Sequence, residues 1–387
     1  MTTGRVLSSA VLSLVVVTVS CSTGPVSHAT SVTSPSPSPT PLHLNRAYVA
    51  TGAGVIPIDL TTKAPGKPIP SPAGAVPVAV SITADGKTAY VSVLEPSGNH
   101  GASGVMPLDL VTATFGDNIP ISTTKLPYGV ILAPGGKTAY VVASLTNGSG
   151  AVVPLDLTTK LLGTPILTPA GTFPVDMGIA PDGKTAYLAV NPAVSGAMNA
   201  VIPIDLLTQS LGTPIPSPPG TYPVSIALSL DGNTAYVAYG APFGGAATSV
   251  VIPIDLKTKS PGPNIGGTSG SVLSDSNYNA RLVIISPDGK TAYVIQDRSG
   301  TSARLIPVDL TGPSPQIKRA NPISLGATVN SVAITPDGKT AYLAVTQAAQ
   351  PNTIGVLNLV IPVDLATLSL ETPIVLNSTA LGIDVTP

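Results

Sequence analysis

Short apolar runs rich in Val, Ile, Leu and Ala recur along most of the chain, separated by clusters of Gly, Pro, Asp and Thr. Val78-Ala79-Val80-Ser81-Ile82 and Tyr90-Val91-Ser92-Val93 are typical; their brevity and β-branched content predict strands. One word, Pro-Asp-Gly-Lys-Thr-Ala-Tyr at 181–187, sets the rhythm. Close copies end at Tyr90, Tyr140, Tyr187, Tyr236, Tyr293 and Tyr342, and a trimmed copy, Asn45-Arg46-Ala47-Tyr48, comes first. The tyrosines recur about every 50 residues, a period that belongs to propeller blades or solenoid units.

Between paired runs, Asp85-Gly86, Asp182-Gly183, Asp231-Gly232, Asp288-Gly289 and Asp337-Gly338 supply the positive backbone angles of a tight hairpin, and Gly135-Gly136 does the same. A second word follows each tyrosine: Val-Ile-Pro-Ile-Asp-Leu at 55–60 and its relatives ending in Asp109, Asp156, Asp205, Asp255, Asp309 and Asp364. Thr three residues after all but Asp309 predicts a side-chain-supported turn from a third strand to a fourth.

Seven four-stranded antiparallel units follow. The final residues, Leu381 to Pro387, match the first strand of a unit and stop where its turn is due, whereas the folded part begins just after such a turn. This predicts an all-β, seven-bladed propeller over 43–387, closed by the C-terminal strand joining the N-terminal blade. Pro57, Pro107, Pro154, Pro203, Pro253, Pro307 and Pro362 fall inside the third strands. A missing N–H there predicts a bulge, or pairing that starts beyond the proline.

These words, Pro-Asp-Gly-Lys-Thr-Ala-Tyr-Val followed by Pro-Ile-Asp-Leu, resemble the YVTN-type β-propeller repeat of bacterial and archaeal surface and periplasmic proteins. The resemblance covers roughly residues 43 to 387 and implies the fold; it implies little about ligands. The name-giving Thr and Asn are replaced, as in Tyr90-Val91-Ser92-Val93 and Tyr187-Leu188-Ala189-Val190.

The N-terminal region adds an address. Arg5 and an apolar run from Val6 to Val19 read as a signal peptide over 1–20. Cys21, the only cysteine, follows in Thr18-Val19-Ser20-Cys21, which resembles a bacterial lipoprotein cleavage box and implies lipidation at Cys21. Residues 21–42, Ser/Thr/Pro-rich, form an extended tether. The expected location is the cell envelope, lipid-anchored or secreted, with membrane contact through the anchor only.

Composition then narrows the chemistry. Charged residues make up 10% and the net charge is -1, which argues against nucleic acid as a partner. With no Trp and 3 Phe, the recurrent tyrosines are expected to pack between blades.

Once turn and strand-end acids are subtracted, few groups stand out of pattern. His100, in a Gly-Ser-Asn loop, is the one histidine beyond His43 at the margin of the tether. On inner strands, Ala79, Gly129, Ser225, Ser331 and Gly382 are small, as convergence on a channel requires. Asp176 occupies the equivalent position, Asp384 lies two residues further along, and Arg281 is of the other parity. These three could hold a calcium ion or small polar molecule, or form an internal ion pair. Propeller lactonases carry His, Arg and acidic residues around this channel, and the His are missing here. The loops between strands two and three, and between blades, are more varied than the turns and include the link from Gly266 to Asn279 with Asp275 and Tyr278.

The sequence thus predicts a non-catalytic scaffold binding an envelope protein, peptide or glycan on its loop face, without a required cofactor. A lactonase-like hydrolase with a metal near Asp176, Asp384 and His100, and a structural surface spacer, are the alternatives.

Overall fold

The computed structural model describes residues 45–72, 74–95, 103–121, 125–145, 149–194, 196–241, 249–265, 273, 275, 277–298, 302–312, 314–318, 322–347 and 357–387. Cys21, His100, the leader and the tether lie outside the described residues. Within them the chain forms seven antiparallel blades in a ring. Blade one combines Arg46–Thr51, Gly54–Asp59 and two short outer pieces with the C-terminal strand Ala380–Val385. The first strands of blades two to seven are Val76–Ile82, Lys125–Leu132, Thr172–Ile179, Tyr222–Leu228, Asn279–Ile285 and Thr328–Ile334.

Closure follows the expected register. Tyr48 stands opposite Asp384 and Val49 opposite Ile383. Thr386 locks the end, its N–H donating to Arg46 O (2.9 Å) while its Oγ1 accepts from Arg46 N (3.0 Å). Both ends of the sheet assembly therefore find partners in each other.

The core sits in the seams between blades. Tyr140 of blade three packs with Met177, Leu188 and Ile202 of blade four, and Tyr187 of blade four with Ile226, Val237 and Tyr239 of blade five. The repeated tyrosines are all buried. Their rings fill each wedge as predicted, which is how the fold manages without tryptophan.

Two local predictions need correction. The first strands carry the irregularity: in blades two to five it falls after Pro77, Pro127, Pro174 and Pro223, so that Val78, Tyr128, Val175 and Val224 are extra residues. The third strands run in unbroken register straight through their prolines, as in Tyr48↔Pro57 and Tyr187↔Pro203. The reason is the alternation of an antiparallel ladder. Leu60 N donates to Asn45 O, which makes Ala47↔Ile58 a hydrogen-bonded pair and Tyr48↔Pro57 a non-bonded one. The ring nitrogen of Pro57 thus points outward, where the fourth strand is split into Ala64–Pro65 and Ile69–Pro70. Its carbonyl still accepts from Gly66 N (2.7 Å).

In the Asp-Gly turns only the glycine takes a positive angle, φ 67° at Gly86 and Gly183. The aspartate braces the turn through its side chain instead: Asp85 Oδ1 accepts from Lys87 N (3.0 Å) and Thr83 Oγ1 (2.6 Å). The Asp-x-x-Thr turns form as predicted, with Asp59 Oδ1 accepting from Thr61 N and Thr62 N. The positive angle then falls on the next residue, Lys63 (φ 55°).

Candidate functional site

The inner-strand aspartates are drawn into the seams rather than into an open channel. Asp176 of blade four is 3% exposed. Its Oδ1 accepts from Met177 N (2.8 Å) and its Oδ2 from Ile226 N of blade five (2.9 Å), and the Ser225 side chain bonds to it as well. Ser225 Oγ in turn accepts from Val283 N of blade six (3.2 Å), so one chain of hydrogen bonds crosses three blades. Burial pushes the Asp176 carboxyl up to about 7, and the donors from Ile226, Ser225 and Met177 recover only part of that shift.

Asp384 repeats the arrangement two residues along: its Oδ1 accepts from Val385 N (2.9 Å) and its Oδ2 from Ile82 N of blade two (2.8 Å). Similar ties run from Ser81 Oγ to Val130 O (2.6 Å) and from Ile383 N to Ser331 Oγ (3.2 Å). The small residues of this register serve close approach of adjacent blades. A Cβ added at Gly382 would lie 2.9 Å from Ala79 Cα.

Arg281, read as a possible partner of these aspartates, turns elsewhere. It is the extra residue of its first strand, between Ala280 and Leu282. Its Nε donates to Val329 O of blade seven (2.8 Å) and its Nη1 to Asp297 Oδ2 (3.3 Å). Burial raises the Asp297 carboxyl above its usual range, against the pull of Arg281. Asn330, the extra residue of the next blade, mirrors this by donating to Ala380 O (2.8 Å) and Thr346 Oγ1 (2.9 Å).

Asp275 and Tyr278 come together on the loop face, around a residue that sequence reasoning missed. Arg304 is 7% exposed. It donates through Nη1 to Asp275 Oδ2 (3.1 Å) and through Nε and Nη2 to Gln296 Oε1 (3.0 and 2.8 Å). Its guanidinium carbon lies 3.6 Å from the Tyr278 ring centroid. Gln296, fully buried, donates to Leu273 O (2.9 Å) and Ser249 Oγ (3.3 Å), and Ser249 Oγ donates to Tyr278 O (3.0 Å). Burial lowers the affinity of Arg304 for its proton, and Asp275 opposes that. Burial pushes Asp275 up, yet Asn277 and Arg304 outweigh it and leave the carboxyl below its ordinary range.

Charge is unevenly shared between the two faces. The turn face carries the repeated aspartates with Lys63, Lys87, Lys137, Lys160, Lys184, Lys257, Lys259, Lys290 and Lys339. Among described side chains, the loop face has only Glu95, Asp275, Asp297, Arg281, Arg298 and Arg304. Among the described residues, no group of three or more His, Cys, Asp or Glu could hold a metal ion, and no helix is long and apolar enough to cross a membrane.

No protein-family model and no curated protein matches the chain. Solved propellers do. A functionally unknown protein from Desulfotomaculum acetoxidans superposes with TM-score 0.63 at 14% identity, covering 89% of this chain and 100% of that one. Hydrazine synthase from Kuenenia stuttgartiensis gives TM-score 0.62 at 19% identity, covering 84% of this chain and 90% of that one. A putative 6-phosphogluconolactonase from Bacteroides fragilis gives 0.60 at 18% identity, covering 90% and 99%. Likeness at this level establishes the propeller fold and leaves function to the residues themselves.

Proposed function

We propose that this chain is a non-catalytic binding scaffold of the YVTN-repeat type, exported and held at an envelope surface through Cys21, which presents its loop face to a partner. The observation that carries the reading is the network around Arg304. A buried guanidinium is costly to desolvate, and here its hydrogen bonds and ring contact fix the end of the long link, through Asp275 and Tyr278, onto blade six. A loop held in one conformation loses little freedom on binding. Further support comes from Asp176 and Asp384, whose carboxylates are occupied by backbone N–H groups of adjacent blades.

Capture from envelope extracts tests the proposal. The full chain should retain a partner that a variant with shuffled loop-face sequences loses. Equal recovery by both would refute it, as would turnover of an ester or lactone panel by the wild type and its loss in Asp176→Asn.

A further inference from the structure

The first strands of adjacent blades approach each other closely at five of the seven seams; those of blades three and four, and of blades six and seven, stand farther apart. Between blades three and four the half-buried ring of Tyr128 fills the space, packing against the core that holds Met177 and Leu188. Between blades six and seven the cause is Leu282, which takes the register position held elsewhere by Ala79, Asp176, Ser225 and Ser331. Buried in one cluster with Val329 and Val332 of blade seven, it props the two strands apart. On its loop-face side the Arg281 side chain crosses the gap to Val329 O. A notch therefore opens there beside the channel mouth.

Arg281 and Asp297 meet in this notch with bonding capacity unused. Asp297 is 8% exposed, yet among the described residues its one donor is Arg281 Nη1, at 3.3 Å. Bonds between charged partners are ordinarily about 2.7–2.9 Å. Asp176, just as buried, receives Met177 N, Ile226 N and the Ser225 side chain. The Oδ1 of Asp297 has no described donor, and Nη2 of Arg281 has no described acceptor. Arg304, by contrast, engages Nε, Nη1 and Nη2. Both side chains of the notch remain in contact with solvent, Arg281 27% and Asp297 12% exposed, so a ligand can reach them.

Their charges say what kind of ligand. Gln296 and Asp297 are consecutive in one strand and point to opposite faces of blade six, so the Arg304 and Asp275 network, reached through Gln296, lies on the other side of the sheet. The pair in the notch is net neutral. It calls for a molecule that is itself neutral overall but carries an anionic acceptor for Nη2 and a cationic donor for Oδ1 side by side, as a guanidinium and a carboxylate in contact require. An added cationic donor would also offset the burial that raises the Asp297 carboxyl. An α-amino acid holds both groups on one carbon.

We propose that the notch between blades six and seven binds a zwitterionic α-amino acid with an uncharged side chain, whose carboxylate accepts from Arg281 Nη2 and whose ammonium donates to Asp297 Oδ1. This site stands on its own geometry and is separate from the partner surface around Arg304.

The test is isothermal titration calorimetry of the full chain with glycine, L-alanine, L-serine, L-leucine and L-glutamine, each compared with its N-acetyl derivative, which lacks the ammonium, and its amide, which lacks the carboxylate. At least one amino acid should bind, with both of its derivatives at least tenfold weaker. That comparison uses the wild-type chain and so does not depend on how any variant folds. Asp297→Asn and Arg281→Lys should each weaken the amino acid at least tenfold, whereas Asp176→Asn, whose carboxylate is already occupied, should leave its affinity unchanged. Absence of binding across the panel, equal binding of the acetylated or amidated forms, or equal binding by wild type and a folded Asp297→Asn would overturn the proposal.

Discussion

Tyr48 and Asp384 face each other in one antiparallel ladder although nearly the whole folded chain lies between them. Each also serves the neighbouring blade: Tyr48 packs with Val80 and Ile82, and Asp384 accepts from Ile82 N. The pairing that closes the ring therefore also builds the seam beside it. Removing residues 380–387 would take away the buried side chains of Ile383 and Val385 and leave the inner edge of blade one, Arg46–Thr51, without its partner strand. At about 1.5–3 kcal/mol for each large apolar side chain, the truncated chain should lose at least about 3–6 kcal/mol. Thermal melting should show a lower and broader transition, and an unchanged one would contradict a closed ring.

Asp176 makes stability depend on pH in a defined direction. Its carboxyl titrates near 7 in the folded state, against 3.8 for the ordinary value. Between those values the unfolded chain has released a proton that the folded one keeps, so stability is full below the lower value and falls as pH rises towards 7. The span corresponds to roughly 4 kcal/mol at about 1.4 kcal/mol per unit. Urea denaturation from pH 4 to 8 should show the decline, and Asp176→Asn should flatten it.

The turn aspartates act in the opposite sense. Backbone N–H groups of Thr208 and Thr159 hold the exposed carboxyls of Asp205 and Asp156 below the ordinary range. Their contribution is present at neutral pH and lost as pH falls through those depressed values. Acid denaturation of Asp205→Asn should begin at the same pH as wild type but with a shallower dependence.

Arg304→Met leaves the buried Gln296 carbonyl oxygen without its donor, while half-buried Asp275 keeps its contact with water. Leaving a buried acceptor unsatisfied costs about 1–3 kcal/mol. Hydrogen exchange should accelerate first at Leu273, Asp275 and the residues 277–279 of the link, while the inner strands of blades one to three keep their protection. Uniform acceleration around the ring would show that the network supports the whole fold rather than one loop.

Gly382→Val tests the seam between blades one and two. The added Cβ would meet Ala79 Cα at 2.9 Å and Val78 O at 3.0 Å, both backbone atoms. Overpacking of this kind costs about 1–3 kcal/mol, read as a fall in the urea midpoint. Gly135→Ala, where an added Cβ meets nothing within 4 Å, serves as the comparison.

The architecture was legible in the sequence because it is written redundantly: each blade repeats the turn residues, the buried tyrosine and the strand-ending aspartate. The ring closure was legible because the last residues match a missing first strand. The proline geometry was not, since composition cannot say which edge of a strand a residue's nitrogen faces. Asp275 and Tyr278 were singled out, but their partner was not. Gln296 stands where other blades carry Val93, Val190 and Val345, and Arg304 where they carry Ala151 and Ala200, so the two are legible only when the blades are aligned position by position.

The outward-pointing nitrogen of each third-strand proline bears on how copies of this molecule behave in a crowd. A propeller rim is a row of sheet margins, and a margin with regularly spaced donors invites a second molecule to add a strand of its own. Here every blade withholds one donor at mid-span, and its outermost strand runs only two or three residues before breaking off. A neighbour could not zip along such a perimeter, so dense packing of many copies need not proceed to fibres.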